Sequence, residues 1–157
     1  MDISLRKQVD TDLIFIKRLF DEVKSYELNA GQWQDELRKQ ILDMQFSAHE
    51  LHFKNNLSNG EDSIILFEGN PVGRLILDRS DNDINLADII ILPEYQGKGI
   101  GKFVIEKIIN ESDTSGKTIT LIVSKNNRAM NLYSKLGFKI SHQTETDYCM
   151  IYSSNRS

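Results

Sequence analysis

Residues 96–102 read Gln-Gly-Lys-Gly-Ile-Gly-Lys, between an apolar, β-branched run that stops at Pro93 and a stretch whose apolar residues recur every three or four positions. A strand that passes into a helix through glycines at 97, 99 and 101 presents the first N–H groups of that helix without intrahelical partners and without Cβ atoms to shield them. Such a turn can cradle a diphosphate, with Lys98 and Lys102 adding positive charge at its mouth. The same glycines also suit a plain strand-to-helix turn, so the motif by itself names no ligand. Two nucleotide motifs fail against it. A dinucleotide fingerprint needs its last glycine or alanine three residues beyond Gly99, where Lys102 stands, and a Walker loop needs Ser or Thr after Gly101-Lys102, where Phe103 stands.

The periodicities on either side predict a mixed architecture. Ile3 to Val9 alternate apolar and polar residues as a strand does, and Asp10 or Thr11 can cap a helix that runs to about Tyr26, with Leu13, Ile16, Leu19, Phe20 and Val23 as its buried stripe. After a break at Asn29-Ala30-Gly31, a second helix carries Trp33, Leu37, Ile41, Met44 and Ala48 at helical spacing. Strands are expected over 63–67, 72–78 and 84–92, with turn chemistry at Gly69-Asn70-Pro71 and over 80–83. The helix after the glycine turn uses Ile100, Val104, Ile105, Ile108 and Ile109. A strand over 118–123, a short helix from Asn126 to Leu136 ended by Gly137, and one or two strands up to Tyr152 complete the chain. The expectation is an α/β fold (an α+β mixed sheet) of six or seven strands with about four helices, as one domain over 1–157.

Composition narrows the function classes. A 157-residue chain can bury a core without staples, and its single cysteine, Cys149, allows no internal disulfide. The longest apolar run, Ile89 to Pro93, is too short to span a bilayer, and the N-terminus has no secretory apolar segment, so a cytoplasmic protein with no membrane partner is expected. A net charge of −4 disfavours nucleic acid and mildly favours cationic small partners. His49, Glu50 and His52 do not follow the His-Glu-x-x-His spacing and no cysteine or histidine cluster completes a metal site, so no metal is expected. No Ser-His-Asp or Cys-His arrangement suggests a covalent acyl-enzyme.

Pro93 to Gly101 resembles the acyl-CoA signature of the GNAT N-acetyltransferases, Q/R-x-x-G-x-G/A, on the turn after that family's fourth strand. About thirty residues on, Asn126 to Phe138 (NNRAMNLYSKLGF) resembles the family's second signature. The resemblance implies that the fourth and fifth strands splay apart to admit acetyl-CoA. It implies further that the main chain of Ile89 and Ile91 binds the pantetheine arm, and that Gln96, Gly97, Lys98, Gly99, Ile100, Gly101 and Lys102 hold the pyrophosphate. A backbone N–H near Ile91 would polarise the thioester carbonyl. Asn126 corresponds to a contact with the pantetheine or phosphate arm, its alternative being the cap of the following helix. Tyr133 corresponds to the cofactor-facing tyrosine that protonates the departing thiolate, its alternative being a core aromatic.

The implied activity is transfer of an acetyl group from acetyl-CoA to a primary amine of a small molecule or peptide, by direct attack in a ternary complex. The alternative is a catalytically weak acyl-CoA sensor or interaction module on the same fold, in a monomer or a homodimer. That alternative draws on the fourth strand, where some relatives carry a glutamate six residues before the position of Ile91. Asn85 stands there instead and can orient water but cannot take a proton as a carboxylate does. Regular alternation puts Asp88 on the opposite face from Asn85, Ala87, Ile89 and Ile91, as a solvated or paired carboxylate. Asp78, Glu22, Glu27, Glu145 and Asp147 are further candidates for the base. The acceptor is expected around Tyr26 to Trp33 and Thr144 to Tyr148.

Overall fold

The computed structural model describes residues 2–27, 34–57 and 59–154. The alternating segments form a seven-stranded sheet built from β1 (Ile3–Lys7), β2 (Gly60–Phe67), β3 (Asn70–Arg79), β4 (Asp83–Ile91), β5 (Thr118–Ser124), β6 (Lys139–Gln143) and β7 (Asp147–Tyr152). Its spatial order is β1-β2-β3-β4-β5-β7-β6. β4 and β5 run parallel while the other neighbours are antiparallel. A parallel pair needs a crossover, and α3 (Ile100–Ser115) supplies it. The remaining helices are α1 (Leu13–Glu27), α2 (Asp35–Asn56) and α4 (Ala129–Lys135).

Helix α3 buries Ile100, Val104, Ile105 and Ile108 against Ile84 and Leu86 of β4 and Ile119, Leu121 and Val123 of β5, together with Tyr133 of α4. On the other side, Leu19 and Val23 of α1 pack with Leu92 and Ile90. The α1 stripe is as expected except at its start, where Leu13 is half exposed. The chain enters α1 through a 3-10 turn, Asp10–Asp12, and it is Asp12, not Asp10 or Thr11, that secures the entry. Its carboxylate accepts the Val9 N–H at 2.9 Å and two Arg6 hydrogen bonds at 2.8 Å. The Arg6 and Val9 hydrogen bonds outweigh burial and hold its pKa down to about 2.

Helix α2 departs from expectation. Leu37, Met44 and Leu51 face solvent at 49%, 67% and 57% exposure, and Leu42 is buried instead. The helix turns inward a face of aromatic and ionisable residues. Phe46 and His49 each lie 5.3 Å from the Phe20 ring, His49 lies 4.5 Å from Phe53, and Glu50 pairs with Arg74 of β3. Arg74 is almost fully buried, and a buried guanidinium without a carboxylate costs more than an exposed leucine gains by burial. Trp33 and the break at 29–31 lie outside the described residues.

One irregularity bears on the site. Ile76 of β3 pairs with Asp88, but the next residue, Leu77, pairs with Leu86, so Ala87 is an extra residue bulged out of β4. Alternation reverses across it. Ile84 and Leu86 before the bulge and Ile89 and Ile91 after it all join the α3 side, whereas Ile90 joins the α1 side. The expectation that Asp88 lies opposite Asn85 is therefore corrected: the bulge puts both on the α1–α2 face, while Ile89 and Ile91 point the other way.

Candidate active site

The β4–β5 pairing begins at Asp83↔Thr118 and stops at Leu86↔Leu121, although β4 continues to Ile91 and β5 to Ser124. Beyond the bulge the two strands part. Leu92 donates its N–H to the Val72 carbonyl on β3 at 2.8 Å, so by strand alternation the N–H and C=O of Ile91 and Ile89 point away from β3, into the gap. At the mouth of the gap the Gln96 side-chain amide donates to the Ile91 carbonyl at 2.9 Å, tying the glycine turn to the end of the open edge.

Gly97 and Gly99 adopt φ of +77° and +85°, the left-handed region that side chains with a Cβ rarely occupy. Gly99 is the N-cap of α3, and the first i→i−4 bond of that helix runs from Phe103 to Gly99 at 3.0 Å. The N–H groups of Ile100, Gly101 and Lys102 precede this bond and are free of the helix ladder. Gly101 leaves only van der Waals room beside Ile91: a Cβ there would lie 3.5 Å from Ile91 Cδ1. Lys98 lies over the Tyr95 ring and Lys102 forms a loose pair with Glu106 at 3.7 Å.

Two ionisable groups lie on opposite faces of the sheet, near enough for the charge of one to act on the other. Tyr133, on the side of α3, is 5% exposed and packs against Phe138, and no described group hydrogen-bonds its hydroxyl. Burial first, and the charge of Asp88 second, push its pKa up to about 12. Asp88 comes from the α1–α2 side. Its Oδ2 is buried, has no hydrogen-bond partner among the described residues, and lies 3.5 Å from His49 Nε2. Burial pulls His49 down, but Asp88 and Glu50 outweigh it and push its pKa up to about 9. Burial likewise raises Glu50, but His49 and Arg74 prevail and hold it down to about 2.

These shifts set a pH window for stability. Glu50 contributes above its unfolded value of 4.5 and its share is lost as pH falls towards 2; His49 contributes below 6.5 and its share is lost as pH rises through 9. Denaturant unfolding is expected to show a loss on the order of 2 kcal/mol between about pH 6.5 and 9 that is missing in His49→Gln. Equal slopes in the two proteins would contradict it.

The other sequence candidates lie apart from this pair. Asn85 is engaged with β5, its amide donating to Thr120 Oγ1 at 3.2 Å and to the Thr120 carbonyl at 3.4 Å. Asn126 is exposed, and the capping expected of it is done by Asn127, whose Oδ1 accepts the Ala129 N–H at 2.9 Å. The reason is that α4 starts three residues later than expected, at Ala129. Glu22 pairs with Arg18, Asp78 accepts the Asn59 N–H, Asp147 accepts the Thr146 hydroxyl, and Glu145 is exposed. A cleft of about 880 Å³ opens between α1 and α2 beside Pro93, lined by Tyr26, Asp21, Glu22, Asp35 and Asp43 among others. No group of three His, Cys, Asp or Glu able to hold a metal occurs among the described residues, and no described helix is long and apolar enough to cross a membrane. Sequence reasoning passed over His49 and discounted Asp88; the only local signal was a carboxylate inside a run of isoleucines, at odds with the polarity around it.

Residues 60–140 match the acetyltransferase (GNAT) domain family. The [ribosomal protein bS18]-alanine N-acetyltransferase of Haemophilus influenzae is 37% identical over 87 residues, 54% of this chain and 60% of that protein. The chain thus spans about three fifths of the length of the first curated relatives it matches. Among solved structures, the PaiA N-acetyltransferase of Thermoplasma acidophilum in complex with coenzyme A has a TM-score of 0.73 at 22% identity, covering 98% of this chain and 99% of that one. Spermidine N-acetyltransferase from Vibrio cholerae, in complex with CoA and spermine, has a TM-score of 0.66 at 20% identity over 98% and 96% of the two chains. With more than half of its residues matched to that family and nearly its whole length sharing the fold of these structures, the chain belongs to the GNAT acetyltransferases.

Proposed function

We propose that the protein transfers an acetyl group from acetyl-CoA to a primary amine of a small molecule or peptide, by direct attack within a ternary complex. The observation that carries this reading is the gap between β4 and β5, an unpaired strand edge with the Tyr133 phenol on one side of the sheet and the Asp88 carboxylate on the other. The site fits the cofactor at both ends. The edge groups of Ile89, and the Ile91 carbonyl, which can accept a second hydrogen bond beside that of Gln96, can pair with an amide-bearing arm as a neighbouring strand would. The free N–H groups and glycines of 96–102 suit a pyrophosphate, with Lys98 and Lys102 beside it. When bound, acetyl-CoA supplies the activated acyl thioester.

The residues of the chain then divide the proton work. Asp88 takes the proton that the acceptor nitrogen must lose as its bond to the acyl carbon forms, and Tyr133 gives its proton to the sulfur as the carbon–sulfur bond breaks. The Ile91 N–H faces the carbonyl oxygen that gains negative charge. The two steps help one another: once Asp88 is protonated its charge no longer raises the Tyr133 pKa, so the phenol becomes a better donor as the thiolate departs. Asp88 also supplies the carboxylate that Asn85 lacks, which weakens the case for a non-catalytic sensor.

Acetyl-CoA and CoA at a hundredfold excess over Kd are expected to raise Tm by about 5 °C or more, where ATP and NAD do not. Gly99→Val, forced out of its positive φ, is expected to lose most of that shift while remaining folded. No shift with either CoA species overturns the assignment. Thiol release from acetyl-CoA with spermidine and with an alanyl peptide amide tests turnover, and those probes follow the acceptors named for the Vibrio and Haemophilus proteins. Tight CoA binding without thiol release from either probe, or from other amines of a wider panel, would favour the acyl-CoA sensor.

A further inference from the structure

Beneath α2, five charged side chains form an alternating chain that ends at the gap. Asp62 of β2 holds Arg74 through two hydrogen bonds at 3.0 and 2.7 Å, and Glu50 of α2 holds it through two more at 2.7 and 2.9 Å. Glu50 Oε2 also lies 3.1 Å from His49 Nδ1, and His49 Nε2 lies 3.5 Å from Asp88 Oδ2. Read from the sheet outward, the signs run negative, positive, negative, positive, negative. Arg74, locked by four bonds and 5% exposed, fixes Glu50. Glu50 and the rings of Phe20 and Phe53 in turn fix the imidazole. Asp88 is the terminus, and its Oδ2 is the buried oxygen without a hydrogen-bond partner.

We infer that His49 is a positioning residue for acetyl transfer: held by the Glu50–Arg74–Asp62 chain, it holds the Asp88 carboxylate in place beside the β4–β5 gap, and the pH dependence of turnover follows from its charge. This rests on the reading of Asp88 as proton acceptor. Of the ionisable groups around Asp88, His49 of α2 meets it directly, Glu50 of α2, Arg74 of β3 and Asp62 of β2 are linked to it through His49, and Tyr133 of α4 feels its charge. Helix α1 contributes Phe20, with Lys24 over its ring at 5.9 Å. Among these, His49 is the cation that faces the carboxylate directly. A network that only fastened α2 to the sheet would affect stability and leave the pH dependence of the chemical step alone.

Two measurements test it. In the first, which needs no acceptor, the His49 imidazole is titrated by NMR in the wild-type protein and in Asp88→Asn. It is expected to titrate near pH 9 in the wild type and at least one unit lower in the variant. Titration near 6.5 in the wild type, or no change on substitution, overturns the inference. In the second, single-turnover acetyl transfer to spermidine or the alanyl peptide amide is followed against pH. His49→Gln is expected to move the acid limb upward by about one unit or more, with CoA affinity within about twofold. If Asp88→Asn abolishes the limb while His49→Gln leaves it in place, the positioning role alone is overturned. If Asp88→Asn changes neither rate nor limb, the proton-acceptor reading falls, and the inference with it. Should His49→Gln fail to bind CoA, the titration decides.

Discussion

Tyr133→Phe is expected to keep the fold and most of the CoA affinity while lowering kcat by on the order of 10²–10⁴-fold. The ring stays packed against Phe138, and the hydroxyl has no protein hydrogen bond to lose among the described residues, so the stability change should stay below about 1 kcal/mol. A pKa near 12 means that the phenol holds its proton throughout the neutral range, where a thiolate with a reference pKa near 8.5 must otherwise leave as an anion. The measurement is single-turnover acetyl transfer beside CoA titration. If the chemical rate is unchanged, Tyr133 is a core aromatic and its role as acid is withdrawn.

Asp88→Asn is expected to cost a similar factor at neutral pH, with a distinctive recovery. At about pH 7.4 an alkylammonium of pKa near 10.4 is deprotonated in only about one molecule in a thousand, an uphill step of roughly 4 kcal/mol. Without a carboxylate the variant must wait for that minor form, so its deficit should shrink steadily as pH approaches about 10. The substitution is nearly isosteric and its principal partner is an imidazole at 3.5 Å, so CoA binding should survive. A deficit that stays constant with pH would point to lost geometry instead of lost proton transfer.

Much of this fold was legible locally. The strand boundaries around Ile64, Val72, Ile84 and Ile119 follow from β-branched runs between turn residues, and each of these residues is fully buried in the sheet. The inward face of α3 follows from the spacing of Ile100, Val104, Ile105 and Ile108. Helix α2 was not legible in this way, because it carries two stripes. Leu37, Met44 and Leu51 make the better apolar face on paper, but the partner that selects a face is Arg74, twenty-four residues from Glu50. Periodicity identifies a face that could be buried, and only the opposing surface chooses between two.

The glycines at 97, 99 and 101, the strand before them, the helix after them and the helix bearing Tyr133 are consequences of the sequence alone. Each depends on backbone freedom, β-branching or spacing within a few residues. The pairing of Asp88 with His49 belongs to the tertiary structure. It requires the extra residue at Ala87, and a bulge is a mismatch of register between β3 and β4 that neither strand records by itself. Because side chains alternate with a period of two, that single residue moves Asp88 from the face of Ile84 and Leu86, as counted along an unbroken strand, to the face of Asn85 beneath α2. There a distant helix brings the imidazole, and beyond the bulge β4 parts from β5.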